Sequence, residues 1–271
     1  MKLKMSILDF TFDDLGRIRH LQPEGWTDIV PEFEYYLRKP FCFPIKVTIG
    51  DQIAGTGAAI ALGSTGWLAH IIVEPAERKK GLGTLIVNEL MHILRGHGVR
   101  TFLLIATEAG KSMYLRAGFR VKTEYIFHKR ETPCPEYRHT GNIASFSENF
   151  RRELLNIDRR VTGENREELL GYSLENASLF ISDSALLGYY IPGVGEGPVI
   201  ALTAEAGLEL MKLKYANVSK AVLPAENITG LGYLRSMGFE MTPTRGTRMV
   251  MGEDIPWEPE KIYSRIGGNF G

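Results

Sequence analysis

The chain has 271 residues, 44% of them hydrophobic and 24% charged, which is typical of a folded globular protein long enough for two domains. Its 32 basic and 32 acidic residues balance, which argues against nucleic acid or an anionic membrane surface as the main partner. Cys42 and Cys134 are too few for a disulfide framework, and no cysteine–histidine cluster has metal-ligand spacing. Since the amino terminus also lacks a signal-peptide pattern, we expect a cytoplasmic protein without a metal.

Apolar patterning predicts an ordered series of strands and helices in the first half. The segment 53–73 has no Asp, Glu, Lys or Arg, yet the turn sequence GSTG at its centre favours two buried strands over a membrane span. A polar, proline-bearing segment at 131–145, which contains Cys134, is the predicted linker between domains 1–130 and 146–271. The predicted elements before it are strands at 45–49, 53–62, 67–73 and 101–107, helices at 82–94 and 111–117, and a last strand at 119–127.

The second half repeats this order of elements. Strands are predicted at 177–181, 186–191 and 199–202, followed by a helix, a strand and a short helix that ends in a Gly-Phe pair. The short phrase YLRAGF at 114–119 also returns, as YLRSMGF at 233–239. Two copies of one architecture are therefore predicted.

A glycine-rich turn between a strand and a helix carries the clearest chemical signal. In EPAERKKGLGT, Gly81 and Gly83 let the backbone approach an anion, and the start of the next helix offers unpaired N–H groups to phosphate oxygens. Arg78, Lys79 and Lys80 add positive charge. A solvated basic turn is the alternative interpretation of this stretch alone. The spacing fits neither a dinucleotide-binding fingerprint nor a Walker A loop.

Two motifs together resemble the GNAT superfamily of N-acetyltransferases. VEPAERKKGLGTLIVNEL is similar to the acyl-CoA loop of that family, with Arg78, Gly81 and Gly83 at its fixed positions. Further along, Tyr114 stands four residues before a Gly-Phe pair, as the family's tyrosine does.

The resemblance covers residues 5–130, and the degenerate second half points to a subgroup of two-part acetyltransferases. It implies an α+β acyl-CoA N-acyltransferase (GNAT) fold, with a mixed, mostly antiparallel sheet flanked by helices, in two tandem copies. It also implies acetyl-CoA as co-substrate. The pyrophosphate would be bound by Arg78, Lys79, Lys80, Gly81, Leu82, Gly83 and Thr84. The pantetheine arm and the thioester carbonyl would be bound in a gap beside the strand, by the backbone of Ile71, Ile72 and Val73.

Tyr114 is the predicted general acid, because a phenol with a pKa near ~10 can protonate a leaving thiolate whose thiol has a pKa near ~8.5. A core tyrosine is the alternative. His70 is the predicted base for the acceptor ammonium, and a satisfied buried histidine is its alternative. Alternation along the strand puts His70 on the face opposite Ala69 and Ile71. Glu108 and water are further candidates for the base.

The predicted reaction is the transfer of acetyl to a primary amine of a small molecule, by direct attack in a ternary complex. Trp26, Asp28, Glu32 and Glu34 lie where the family borders its acceptor site, and they would suit a cationic amine. Solvated surface residues are the alternative. Two other functions stay open, a protein or peptide N-acetyltransferase and a non-catalytic acyl-CoA-binding sensor. No nucleic acid or membrane partner is expected, and a homo-oligomer is compatible with the sequence.

The repeated phrase separates the two halves. Aligning the Gly-Phe pairs gives a shift of 120 residues, so Tyr114 matches Leu234 and Tyr233 falls one position early. One position on a helix is a rotation of roughly 100°, which points Tyr233 away from the position of an acid. The family's usual asparagine is Thr107 in the first half but Asn227 in the second. We predict that the second copy has lost cofactor binding.

Overall fold

The computed structural model describes residues 4–131 and 141–271. Most of the predicted linker, with Cys134, lies outside the described residues, so the domain boundary stays a prediction. The described chain forms two compact units, and each unit draws residues from both halves of the sequence. The first unit comprises the chain up to Leu104, Ser112–Arg120 and Val250–Glu253. The second comprises Ile105–Lys111, Val121–Met249 and Asp254–Gly271.

Five strands follow one another in chain order across the sheet of the first unit. All neighbouring pairs are antiparallel except β4 and β5, which are parallel. The predicted hairpin is confirmed, because β3 and β4 are joined by the GSTG turn. The five strands are β1 Met5–Asp9, β2 Cys42–Ile49, β3 Gln52–Leu62, β4 Thr65–Val73 and β5 Thr101–Ala106.

The helices of the first half are α1 Ile29–Arg38, α2 Leu82–Gly96 and α3 Glu108–Arg116, and a 3-10 helix spans Phe12–Leu21. α2 packs on β3 at Gly57, where an added Cβ would lie 2.8 Å from Ile86 Cγ2 and 3.0 Å from Leu90 Cδ1. Only a residue without a side chain lets the helix approach the sheet this closely. The packing therefore fixes where α2 begins relative to the end of β4.

The second unit contains a five-stranded antiparallel sheet in the order β13-β10-β9-β8-β7, and the strands β12, β6 and β11 in that order. Its core is closed by Phe180, Leu210, Leu223 and Leu234. The strands are β6 Arg120–Lys129, β7 Ile143–Ser145, β8 Ser178–Ser182, β9 Ala185–Tyr190, β10 Val199–Ala201, β11 Lys220–Pro224, β12 Glu240–Gly252 and β13 Ile262–Ser264. The helices are α4 Arg151–Thr162, α5 Glu167–Gly171, α6 Ala204–Tyr215 and α7 Ile228–Ser236.

The short helices of the two copies keep the predicted register. α3 spans Glu108–Arg116 and α7 spans Ile228–Ser236, which is the same helix shifted by 120 residues. Leu234 is fully buried at the position that corresponds to Tyr114, whereas Tyr233 is only partly buried. The predicted register is confirmed, and that Tyr233 does not replace Tyr114 stays a prediction. Within the described residues, no helix has an apolar stretch long enough to cross a membrane.

Candidate active site

A bulge interrupts β4 at its centre. On β3 the single residue Gly57 lies opposite two residues of β4, His70 and Ile71. His70 has a φ of 47°, in the left-handed region that residues other than glycine adopt rarely. The extra residue interrupts the regular alternation of faces from which the side of His70 is predicted.

The ladder between β4 and β5 stops part-way along β4. Its last pair is Trp67 with Leu103, whereas β4 continues to Val73. On the β5 side, the later part of β4 therefore has no ladder partner among the described residues. The predicted cofactor residues Ile71, Ile72 and Val73 lie in this open part.

The amino terminus of α2 lies just beyond the open end of β4 and is suited to an anion. Gly81 precedes the helix with a φ of 91°, and no side chain caps the helix. The N–H groups of Leu82, Gly83 and Thr84 have no acceptor within the helix, and the helix dipole makes this end positive. Phosphate groups bind readily to such an end.

The basic residues of the turn take different positions. Arg78 Nε donates to the carbonyl oxygen of Val73 at 3.1 Å, so Arg78 links the turn to the open end of β4. Lys80 Nζ lies 3.1 Å from the Glu77 carboxylate. Lys79 has a φ of 63°. Arg78, Lys79 and Lys80 are all exposed, so their charges reach the solvent next to the helix start.

Tyr114 is buried on α3, with only 8% of its surface exposed, and its ring meets Phe119 edge-on at 6.0 Å. Burial raises the pKa of Tyr114, which keeps the phenol protonated at neutral pH. Met113, the residue before Tyr114, packs against the start of α2, since an added Cβ on Gly83 would lie 2.8 Å from Met113 Sδ. The structure thus brings the helix of Tyr114 against the glycine-rich turn.

His70 lies among aromatic side chains that the sequence did not single out. Its Nδ1 is 2.7 Å from the hydroxyl of Tyr36. Its ring is edge-on to Trp26, Phe33 and Tyr36, with centroid distances of 5.8, 5.9 and 5.6 Å. Burial lowers the pKa of His70 to about 4, so the ring is neutral at neutral pH. Phe33 and Tyr36 are two apolar positions of an amphipathic helix, and nothing in the sequence distinguishes them from ordinary core residues.

The acidic residues predicted to line an acceptor site all have partners. Asp28 accepts a hydrogen bond from the backbone of Val30 at 2.9 Å and so caps α1. Glu34 pairs with Arg38 at 2.6 Å, and Glu32 also has a partner. The described residues contain no group of three His, Cys, Asp or Glu side chains that could hold a metal ion.

Residues 11–119 match the sequence model of the acetyltransferase (GNAT) family. The matched range contains the bulge, the open part of β4, the glycine-rich turn and Tyr114. Residues 11–119 are therefore similar to acetyltransferases of the GNAT family. The loop and tyrosine motifs that resemble this family in the sequence lie within the matched range.

One curated protein matches a shorter part of the chain than the family model does. The uncharacterized protein YyaT of Bacillus subtilis is 30% identical to this chain over 83 residues, which are 31% of this chain and 56% of YyaT. The chain therefore spans little more than half the length of this relative.

Solved structures match nearly the whole chain, the residues matched by the family model and the second half together. A Pyrococcus horikoshii protein has a TM-score of 0.82 at 18% identity, over 98% of this chain and 96% of its own. A GCN5-related N-acetyltransferase from Sphaerobacter thermophilus has a TM-score of 0.65 at 14% identity, over 93% of this chain and 98% of its own. A tandem GNAT protein from the clavulanic acid biosynthesis pathway has a TM-score of 0.58 at 13% identity, over 92% of this chain and 98% of its own. The predicted GNAT fold and its tandem arrangement are confirmed.

Proposed function

We propose that this chain is an acetyl-CoA-dependent N-acetyltransferase, which moves an acetyl group from the thioester to a primary amine of a small molecule in a ternary complex. The observation that carries the proposal is the open edge of β4 next to the uncapped start of α2. A thioester substrate with a pyrophosphate needs both features, an extended slot with backbone hydrogen-bonding groups and an anion site at its end.

Binding of acetyl-CoA is assigned to three groups of residues. The N–H groups of Leu82, Gly83 and Thr84 bind the pyrophosphate, and Gly81 leaves room for the anion. Arg78, Lys79 and Lys80 supply charge from the solvent side. The backbone of Ile71, Ile72 and Val73 binds the pantetheine arm and donates to the carbonyl oxygen as negative charge develops on it.

In the reaction, the uncharged form of the amine, which has lost its ammonium proton to solvent, attacks the carbonyl carbon, and the carbon–sulfur bond breaks to give the amide and the free thiol of CoA. The Tyr114 hydroxyl donates a proton to the departing sulfur, whose basicity rises as the bond breaks. The phenol has a raised pKa, so it is present in the donating form throughout the neutral range. Tyr114 regains its proton from solvent.

His70 takes the surplus proton of the attacking nitrogen. Its pKa of about 4 makes it a weak base, but the nitrogen becomes strongly acidic once it is bonded to the carbonyl carbon, so a neutral imidazole is sufficient. The neutral ring also places no positive charge in the path of an ammonium substrate.

The test is a calorimetric titration with acetyl-CoA, followed by detection of free thiol with a panel of primary amines. We expect one acetyl-CoA per chain and thiol release that depends on the amine. Binding without thiol release from any amine or peptide would favour the acyl-CoA sensor. A titration without heat of binding would contradict the assignment of the glycine-rich turn.

A further inference from the structure

The aromatic cluster around His70 has an inner and an outer part. Phe33 and Tyr36 are fully buried, whereas Trp26 is 42% exposed and His70 is partly exposed. A molecule that approaches the cluster from solvent therefore meets the indole of Trp26 and the imidazole of His70. The two buried rings hold this surface from behind.

A side-chain clamp holds Trp26 in place. The amide of Gln22 donates to the carbonyl oxygens of Trp26 and Thr27 at 3.2 and 3.0 Å, and its Oε1 accepts from the backbone N–H of Ile29 at 3.0 Å. These bonds fix the loop that precedes α1. The indole is thus presented by an ordered loop, although it is exposed.

The bulge places His70 in the open part of β4, three residues before Val73. A left-handed φ is unfavourable at a residue other than glycine, and such strain is concentrated at functional sites. The hydrogen bond between Tyr36 and His70 Nδ1 holds the ring in this conformation. The aromatic surface therefore lies beside the strand segment that is proposed to bind the thioester.

The rings on this surface favour an aromatic ligand. The His70 ring is neutral at neutral pH, and a bound aromatic ring would meet Trp26 and His70 in the edge-on geometry that aromatic pairs prefer.

We infer that the acceptor is a primary amine carried on an aromatic ring, and that the ring binds against Trp26 and His70 beside the open part of β4. This inference rests on the proposed acetyl transfer. Trp26 and His70 are assigned to the binding of the ring, and Gln22 is a positioning residue that acts through the loop.

The test measures binding and turnover with two amines of matched size, 2-phenylethylamine and 2-cyclohexylethylamine, and with 1,4-diaminobutane. Affinity for the protein is measured by calorimetry with and without CoA. We expect the phenyl compound to bind three- to tenfold more tightly than the cyclohexyl compound, because an aromatic pair contributes about 0.5–1.5 kcal/mol beyond its buried area. Diaminobutane is expected to bind weakest.

Two variants locate the preference. Trp26→Leu keeps an apolar side chain but removes the ring, and it should abolish the difference between the phenyl and cyclohexyl amines. Phe12→Leu is the matched control, since Phe12 is an aromatic residue that is 52% exposed and lies outside the cluster. Gln22→Leu should raise KM for 2-phenylethylamine more than KM for 2-cyclohexylethylamine.

The outcomes separate this inference from the proposed function. Equal binding of the two ring amines, tighter binding of diaminobutane, or a phenyl preference that survives Trp26→Leu would overturn the aromatic acceptor. Binding of the phenyl amine with the expected preference but without thiol release would support the aromatic site and contradict the transferase.

Discussion

The helices α2 and α6 occupy the same place in the two copies but begin in opposite ways. α2 begins after Gly81, with no side-chain cap and no acidic residue in its first turn. α6 begins after Thr203, whose hydroxyl accepts from the N–H of Ala206 at 3.2 Å, and Glu205 lies in its first turn. The first helix start is therefore available to an anion, whereas the second is satisfied internally and carries a negative charge.

The strands that lead into these helices differ in the same sense. The open side of β4 corresponds to a side of β10 that is paired with β13 through Val199 and Ile200. Asn227 donates to the carbonyl oxygen of Ile262 at 2.9 Å, which holds β13 in place. The ring of Tyr263 lies against Gly207, where an added Cβ would come within 2.2 Å of it. Residues of the chain itself fill the slot that the first copy leaves open.

The asparagine of the second copy has thus kept a structural use. Its Oδ1 accepts from the N–H of Gly230 at 2.7 Å and caps α7, while its Nδ2 secures β13. The comparison teaches that the two copies differ in packing as well as in the loop motif. In the second copy, β13 and Tyr263 occupy the place that corresponds to the open side of β4.

The largest expected effect is on acetyl-CoA affinity, when the first copy is given the residue that the second copy has in the first turn of its helix. Gly83 corresponds to Glu205 when the two helix starts are aligned, so Gly83→Glu places a carboxylate beside the pyrophosphate site. We expect the Kd for acetyl-CoA to rise at least about 100-fold, or about 2.7 kcal/mol. Calorimetry measures this directly.

The matched control is Glu205→Gly. This variant should still bind one acetyl-CoA per chain, because Thr203 still caps α6 and β13 still pairs with β10. A second bound acetyl-CoA in this variant, or unchanged affinity in Gly83→Glu, would break the comparison.

The next effect concerns the short helices. Tyr114→Leu installs the residue found at the corresponding position 234, where leucine packs fully buried. We expect kcat to fall by about 10²-fold, because the sulfur leaves without a proton donor, while the Kd for acetyl-CoA stays nearly constant. Tyr233→Leu should retain the wild-type rate. Equal rates for the wild type and Tyr114→Leu would show that Tyr114 is only a core residue.

A smaller effect is expected on stability. Asn227→Ala removes a helix cap and leaves the buried carbonyl of Ile262 without its donor, which should lower the free energy of unfolding by about 2 kcal/mol. Thr107→Ala changes the matching residue of the first copy, which is exposed, and should cost less than about 0.5 kcal/mol. Urea unfolding compares the two. Equal losses of unfolding free energy in the two variants would mean that Asn227 does not hold β13.

The smallest expected effect is a dependence of the free energy of unfolding on pH. The pKa of His70 falls from 6.5 to about 4 on folding, so between these values the unfolded chain binds more protons and stability declines as the pH is lowered. Partial exposure of His70 limits the expected loss to about 1–2 kcal/mol.

His70→Asn should lack this loss, since asparagine tolerates the left-handed conformation and does not titrate in this range. Among the described residues, β10 has no residue with a positive φ, so the second copy should add nothing to the effect. Identical pH profiles for the wild type and His70→Asn would show that the ring is not desolvated.

Local patterns were sufficient to predict most elements. The helix at 82–94, the GSTG hairpin and the buried strand at 101–107 follow from apolar spacing and turn residues, and the structure has all three. The strand β12 was not predicted, because Pro243 and Gly246 interrupt its pattern and only pairing within the folded chain makes it a strand. β13 has three residues and is defined by its contact with β10.

The candidate site divides in the same way. Arg78, Gly81 and Gly83 are visible in the sequence because a phosphate turn needs a fixed local spacing. The bulge at His70 and the contact with Tyr36 depend on residues that are distant in the chain, and neither has a local signature. The acidic residues near α1 were assigned to a ligand, but helix capping and an i,i+4 pair account for Asp28 and Glu34.

Membership of the two units determines when this protein can fold during synthesis. Val250–Glu253 belong to the first unit, and the strand residues after Val121 belong to the second. The ribosome must therefore release nearly the entire chain before the unit with the glycine-rich turn has all its parts. A gene divided at the predicted linker would yield two fragments, each of which lacks a segment that completes one of its units.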